Sequence, residues 1–297
     1  MKQVIILDGG MGQELLSMAK TQPTKLWSAQ FMLDNPELVQ QVHTHFLNAG
    51  AQVITLNTYT ATPTRFARDG DINLLADVYA KALQAALGAK SAYPKTRIAG
   101  CLPPLEASYV SPHKPILEKC IEEYRQLVKW QAPVDLFLIE TMTHLIEAEA
   151  ALIAAQESGK PVWVAFSVSD KHHGELRQGS LLKDAIALAT KYQASAVLLN
   201  CSNPEAIDTN LELLTSFNGQ IGAYANGFVN VDALQPGGTV AKLQKRHNLG
   251  PEEYLTHVQR WITAGLTIIG GCCEIGPAHI QAVSHWVNMS SNRSSEL

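Results

Sequence analysis

Three of the five cysteines in this 297-residue chain stand where their sulfurs can act together. Cys272 and Cys273 are adjacent and follow Gly270-Gly271, while Cys201 follows the apolar run that ends Leu198-Leu199-Asn200. Successive residues of a continuing strand point to opposite faces. The pair faces one centre only if the chain turns there, and Gly270-Gly271 supplies the freedom for a turn. With Cys201 added, three thiolates suit zinc, which takes soft sulfur donors in tetrahedral geometry, and a three-ligand set leaves the open fourth position of a catalytic site. The same residues allow a vicinal disulfide or redox sensor at Cys272-Cys273. They also allow a phosphate-binding turn at Gly270-Gly271. Cys101 and Cys120 lack such a context, and a lone cysteine usually serves as a small apolar side chain.

Two carboxylates, Asp8 and Glu140, end apolar runs. Each suits a helix N-cap or a salt bridge, and as a pair they suit the ammonium group of a substrate. Tyr59, Tyr224 and Phe228 offer aromatic faces to a cation, or ordinary packing. Of the ten histidines, none is spaced as a metal pair on a helix: His43 and His45 lie two apart, and His172-His173 sits in a polar loop.

Short β-branched runs alternate with helical patterns and must position these groups. The runs are 4–7, 53–56, 97–99, 136–139, 162–167, 196–199, 221–225 and 266–269, several of them continuously apolar, as strands covered on both faces are. Asn35-Pro36-Glu37 starts a helix that Gly50 stops; Gly159 and Gly265 stop two more, over 147–158 and 254–264. Eight strands alternating with helices predict a single-domain (β/α)8 TIM barrel over residues 1–290, with a polar, frayed tail at 291–297. An open doubly wound sheet is the rival, but Asp8-Gly9-Gly10-Met11-Gly12 only half matches its glycine fingerprint. In a barrel the residues after the strands converge on the C-terminal rim: Asp8-Gly9-Gly10, Asn57-Thr58-Tyr59, Glu140-Thr141, Asn200-Cys201 and Gly270 to Cys273.

Composition narrows the function classes. Twenty-three basic against 27 acidic side chains give a net charge of −4, with a pI near 6.2. That balance argues against nucleic-acid or anionic-membrane partners. No run reaches a membrane span or a signal-peptide h-region, so a cytoplasmic protein with reduced thiols is expected, as a monomer or small homo-oligomer.

The motifs Asp8-Gly9-Gly10-Met11-Gly12-Gln13-Glu14-Leu15, Asn57-Thr58-Tyr59, Glu140-Thr141, Leu199-Asn200-Cys201-Ser202 and Ile269-Gly270-Gly271-Cys272-Cys273 resemble the homocysteine S-methyltransferase family, across nearly the whole chain. The family includes S-methylmethionine- and betaine-dependent enzymes and the N-terminal module of methionine synthase. The resemblance implies that Cys201, Cys272 and Cys273 ligate zinc. It also implies that Asp8 and Glu140, with backbone amides near Gly9 and Gly10, hold the amino-acid end of homocysteine. Asn57, Tyr59, Ser167, Asn200, Tyr224 and Asn226 join them as expected substrate contacts.

The chain departs from the family pattern at 102–109, at Ala225, at Glu274 and at Thr143, positions around the substrate pockets. Its length leaves no room for folate and cobalamin domains, and it ends short of the extension usual in betaine enzymes. The resemblance therefore implies a sulfonium donor: S-methylmethionine before S-adenosylmethionine. Another donor of the same family, or a non-catalytic zinc or thiol redox protein, is the alternative.

Overall fold

A computed structural model describes residues 3–295 apart from Pro23, residues 110–113, Gln235 and Gly237. The eight expected strands form: β1 Ile5–Ile6, β2 Val53–Thr55, β3 Arg97–Leu102, β4 Leu136–Met142, β5 Val162–Phe166, β6 Ala196–Asn200, β7 Gln220–Tyr224 and β8 Ile268–Ile269. All are parallel, each beside its sequence neighbour, and β8 pairs with β1 through Ile5–Ile268 and Ile6–Ile269. A bridge between Leu7 and Val53 joins β1 to β2 and closes the ring. The fold is a (β/α)8 barrel.

The helices are α1 Met11–Ala19, α2 Ala29–Asp34, α3 Pro36–Asn48, α4 Pro63–Asp69, α5 Leu75–Lys90, α6 Leu117–Trp130, α7 Leu145–Gln156, α8 Leu182–Lys191, α9 Pro204–Leu214, α10 Pro251–Thr263 and α11 Pro277–Ser295. Asn35 caps α3 as its sequence predicts, its side chain accepting from Leu38 N at 3.2 Å. Gly50, Gly159 and Gly265 follow their helices at positive φ, where a Cβ would be strained. The short helices α1, α2 and α4 are additions to the basic repeat. The last helix runs to Ser295, so most of the stretch expected to fray from 291 is helical.

Alternation along the strands makes two cores. Leu7, Val53, Ala99, Leu136, Leu138, Trp163, Ala165, Ala196, Leu198, Tyr224 and Ile268 fill the barrel interior. The opposite parity, such as Ile98, Phe137, Ile139, Val164 and Val197, packs outward against the helices. β3 and β4 run longer than their apolar runs, so Cys101, Glu140 and Thr141 lie inside strands rather than after them, and Asn200 is the last residue of β6. By this parity Cys101 and Glu140 sit above Ala99 and Leu138 on the inner face.

Candidate active site

A cavity opens at the C-terminal rim, lined by Asp8, Gly9, Gly10, Asn57, Tyr59, Glu140, Tyr224, Cys201, Cys272 and Cys273, with Phe228 and Trp27 above them. No histidine is among its described lining residues.

On one wall the Sγ atoms of Cys201, Cys272 and Cys273 all lie within 4.8 Å of one another. The backbone brings them there. Gly271 N donates to Asp8 O at 2.9 Å, Cys272 N to Ala225 O at 2.9 Å and Ile275 N to Cys272 O at 3.1 Å, which turns the chain at 273–274. The turn takes its positive φ at Glu274 (67°), not at Gly270 or Gly271 as the sequence suggests. Those glycines serve close approach: a Cβ on Gly270 would lie 2.5 Å from Leu7 Cβ, and one on Gly10 would lie 2.7 Å from Cys272 O.

Cys201 is itself left-handed, at φ 50°. Its carbonyl is clasped by Arg177 Nη2 at 3.1 Å and Ser167 Oγ at 3.2 Å. The same guanidinium donates to Ser167 Oγ at 2.9 Å and pairs with Asp170 at 2.7 Å. A non-glycine residue in this region persists only where its surroundings hold it.

The Cys201 and Cys272 sulfurs are in direct contact across the rim, and Cys273 completes the group. The contact differs from a vicinal Cys272-Cys273 pairing. Cys272 reaches across the rim because its Cα lies 5.8 Å from that of Cys201, within ordinary disulfide range. The three converging sulfurs are a donor set that fits a thiophilic metal ion. Burial pushes the Cys273 thiol up to about 12, so a cation is what would hold it as a thiolate there.

The facing wall carries the acids. Asp8 accepts from Thr55 N at 2.8 Å and from Thr55 Oγ1 at 3.2 Å, which ties it to β2. Glu140 accepts from Cys101 Sγ at 2.9 Å and from the Tyr224 hydroxyl at 3.4 Å. Burial pushes both carboxyls up to about 7; Thr55 opposes it at Asp8, and the Glu140 charge pushes Asp8 further up. Cys101, read from sequence as an apolar filler, is thus a partner of Glu140, and buried Gln131 fixes it by accepting from Cys101 N at 2.8 Å and donating to Cys101 O at 3.0 Å. The signal was the inward parity of β3. Cys120 lies in α6, away from the cavity.

Four of the expected residues make contacts within the wall. Ser167, Asn200 and Asn226 are absent from the lining. Ser167 supports Cys201, and Asn200 fastens Thr141 by accepting from its N at 3.0 Å and donating to its Oγ1 at 2.9 Å. Asn226 accepts from Phe228 N at 2.9 Å. Gly10 lines the cavity, but its N–H is taken by Ile275 O at 2.9 Å and is not free for a substrate. Asn57 lines the cavity and donates to Ser28 O at 3.0 Å. Tyr59 lines the cavity with one ring face covered by the Arg65 guanidinium, 5.3 Å from its centroid. Arg65 and Arg177 were not singled out by sequence, since neither belongs to a local motif.

The sequence model of the family described as homocysteine S-methyltransferase matches residues 5–287. The chain belongs to the homocysteine S-methyltransferase family. As a member it is a methyltransferase. Among its relatives, the homocysteine S-methyltransferase of Escherichia coli K12 is 29% identical over 95% of this chain and 94% of its own. The selenocysteine Se-methyltransferase of Brassica oleracea var. italica is 26% identical over 94% of this chain and 87% of its own. Two solved forms of the homocysteine methyltransferase MmuM from Escherichia coli superpose closely. The metallated form has TM-score 0.80 and 27% identity over 96% of each chain. The oxidized form has TM-score 0.81 and 26% identity, covering 96% of this chain and 97% of that one. Among the described residues no helix is long and apolar enough to cross a membrane.

Proposed function

We propose that the protein moves a methyl group from a sulfonium, S-methylmethionine before S-adenosylmethionine, to the thiol of homocysteine, giving methionine, with zinc on Cys201, Cys272 and Cys273. The observation that carries this reading is one cavity with three converging sulfurs on one wall and a buried acid pair on the other. The relatives named for homocysteine and the metallated MmuM form support it.

Three thiolates around Zn²⁺ leave a net charge of 2 − 3 = −1, an electron-rich set. Zinc held by Cys201, Cys272 and Cys273 would supply what no side chain here offers, Lewis-acid activation of the acceptor thiol at neutral pH. Asp8 and Glu140 take the acceptor's ammonium, and Cys101 and Tyr224 hold Glu140 in place for it. Tyr224, Phe228 and Trp27 enclose the sulfonium, and their faces favour a cation. Displacement forms the new S–C bond as the sulfonium–methyl bond breaks in line, and the electron pair leaves with a neutral thioether. The acceptor's proton has gone to solvent, so no protein acid or base is required. The chain's contribution is alignment.

Reduced protein loaded with zinc is given homocysteine and each donor in turn, and methionine is measured. Methionine from S-methylmethionine, less from S-adenosylmethionine and none from betaine is expected. Product with betaine alone overturns the donor; no product with any donor overturns the reading.

A further inference from the structure

Arg65 is an anomaly in the cavity wall. It is the third residue of α4, is 7% exposed and lines the same cavity as Glu140 and Tyr59. A buried guanidinium normally has a carboxylate against it, because an unpaired buried charge is costly. Among the described ion pairs Arg65 has none. Its Nη2 donates to Pro104 O at 3.0 Å, and its Nε has no hydrogen-bond partner. Glu147 feels its charge, but that carboxylate already accepts from Leu105 N at 3.0 Å, and burial holds it up to about 7.

The other cations lining the cavity are differently placed. Arg68 is bound to Asp69 at 2.7 Å, and Lys25 stands exposed at the mouth. The guanidinium lies over the Tyr59 ring. Stacking leaves the in-plane N–H donors of an arginine available, in the fork that matches a carboxylate.

The substrates of the proposed reaction are amino acids. Their ammonium groups have an acid pair to meet; their carboxylates need a donor on the same cavity wall. We propose that Arg65 is a specificity residue that reads the carboxylate of an amino-acid substrate, Tyr59 holding its guanidinium flat while the Pro104 carbonyl anchors one corner. This rests on the reading above. Acceptor and donor both carry that group, so the experiment separates them.

Arg65→Met and Arg65→Lys are compared with wild type in the reduced, zinc-loaded protein. Each substrate is offered whole or decarboxylated: homocysteine against 3-aminopropanethiol, and S-methylmethionine against (3-aminopropyl)dimethylsulfonium. Direct binding of each compound is followed by calorimetry, beside bound zinc and melting temperature. Arg65→Met is expected to weaken one carboxylate-bearing substrate by about 10- to 100-fold, the range of a charge-assisted bond. Its decarboxylated counterpart should bind as it does to wild type, and zinc content should not change. Arg65→Lys, with a charge and no fork, should fall between. Loss on homocysteine alone assigns the acceptor, and loss on the sulfonium alone the donor.

Equal loss for the whole and decarboxylated forms makes Arg65 a brace for the 103–105 loop and overturns the proposal, as does no loss at all. If Arg65→Met does not fold, the same comparison made with Arg65→Lys alone decides. Failure of the parent reading is distinct: wild type then forms no methionine, whatever Arg65 does to binding.

Discussion

The sulfur wall of the cavity draws its three Sγ atoms from two short segments, one at 201 and one at 272–273, and main-chain hydrogen bonds hold both. The acid wall draws Asp8, Thr55, Cys101, Glu140 and Tyr224 from the ends of five strands, joined largely side chain to side chain. The first is fixed by backbone shape, including left-handed Cys201 and Glu274, and by the absence of Cβ atoms at Gly10 and Gly270. The second is a network in which each polar group is another's partner. A backbone-built wall should fail by losing its ligand outright, whereas a network should weaken by degrees.

Cysteine replacements give the sharpest contrast. Cys272→Ala should leave little bound zinc and bring methionine formation to background, since two sulfurs no longer make a closed donor set. Cys101→Ala should keep full zinc content and lose acceptor affinity. Metal analysis beside homocysteine binding reads both, and equal zinc loss in the two variants would erase the distinction between the walls.

The next effect tests whether the backbone at Cys201 is truly held. Arg177→Met removes two of the hydrogen bonds around its carbonyl and Ser167, and outer partners of metal ligands are typically worth about 10- to 100-fold in affinity. Chelator competition should show zinc weakened by roughly that factor. The intensity of the sulfur-to-metal charge-transfer band in cobalt-loaded protein should fall as well. Unchanged affinity would mean that Cys201 keeps its conformation without the clasp.

The smallest effect is in pH. Burial raises Asp8 and Glu140 to about 7, well above their unfolded values near 3.8 and 4.5. The folded chain therefore holds more protons than the unfolded one between those limits, and its intrinsic stability from these groups declines as pH rises through 7. Ammonium binding needs the ionised forms, so homocysteine affinity should climb several-fold over the same interval while the melting temperature of the empty protein drifts down. Glu140→Gln should flatten both slopes. Parallel slopes would contradict a shared origin.

The two walls also differ in how much a reader of the sequence can see. Cys272-Cys273 with its glycines, and Cys201 after β6, are local motifs, and a run of apolar residues is enough to order the strands that carry them. Eight strands and the closure of α3 by Gly50 were legible for the same reason: period and caps are written within a few residues. Cys101 was not, because its meaning is Glu140 on the next strand, 39 positions away and visible only once β3 and β4 are in register. Ser167, Asn200 and Asn226 were expected as substrate contacts from the family resemblance, and the assembled ring adds what a motif does not show: Ser167 and Asn200 bond within the wall, while Asn226 Nδ2 has no partner there. Arg65 and Arg177 carry no sequence signal at all: burial beside a cavity is a property of the assembled ring.

Closure of that ring has a kinetic consequence. Gly271 N reaches Asp8 O, Gly10 N reaches Ile275 O and Ile5–Ile6 reaches Ile268–Ile269, all contacts between opposite ends of the chain. Such long-range pairings carry the largest loop-closure cost in the fold, which slows their formation. Until β8 docks, Cys272 and Cys273 have no fixed place beside Cys201, so the proposed donor set is complete only once the ring has closed. A chain opened at that seam alone would keep its helices and inner strands and lose the juxtaposition of the three thiols.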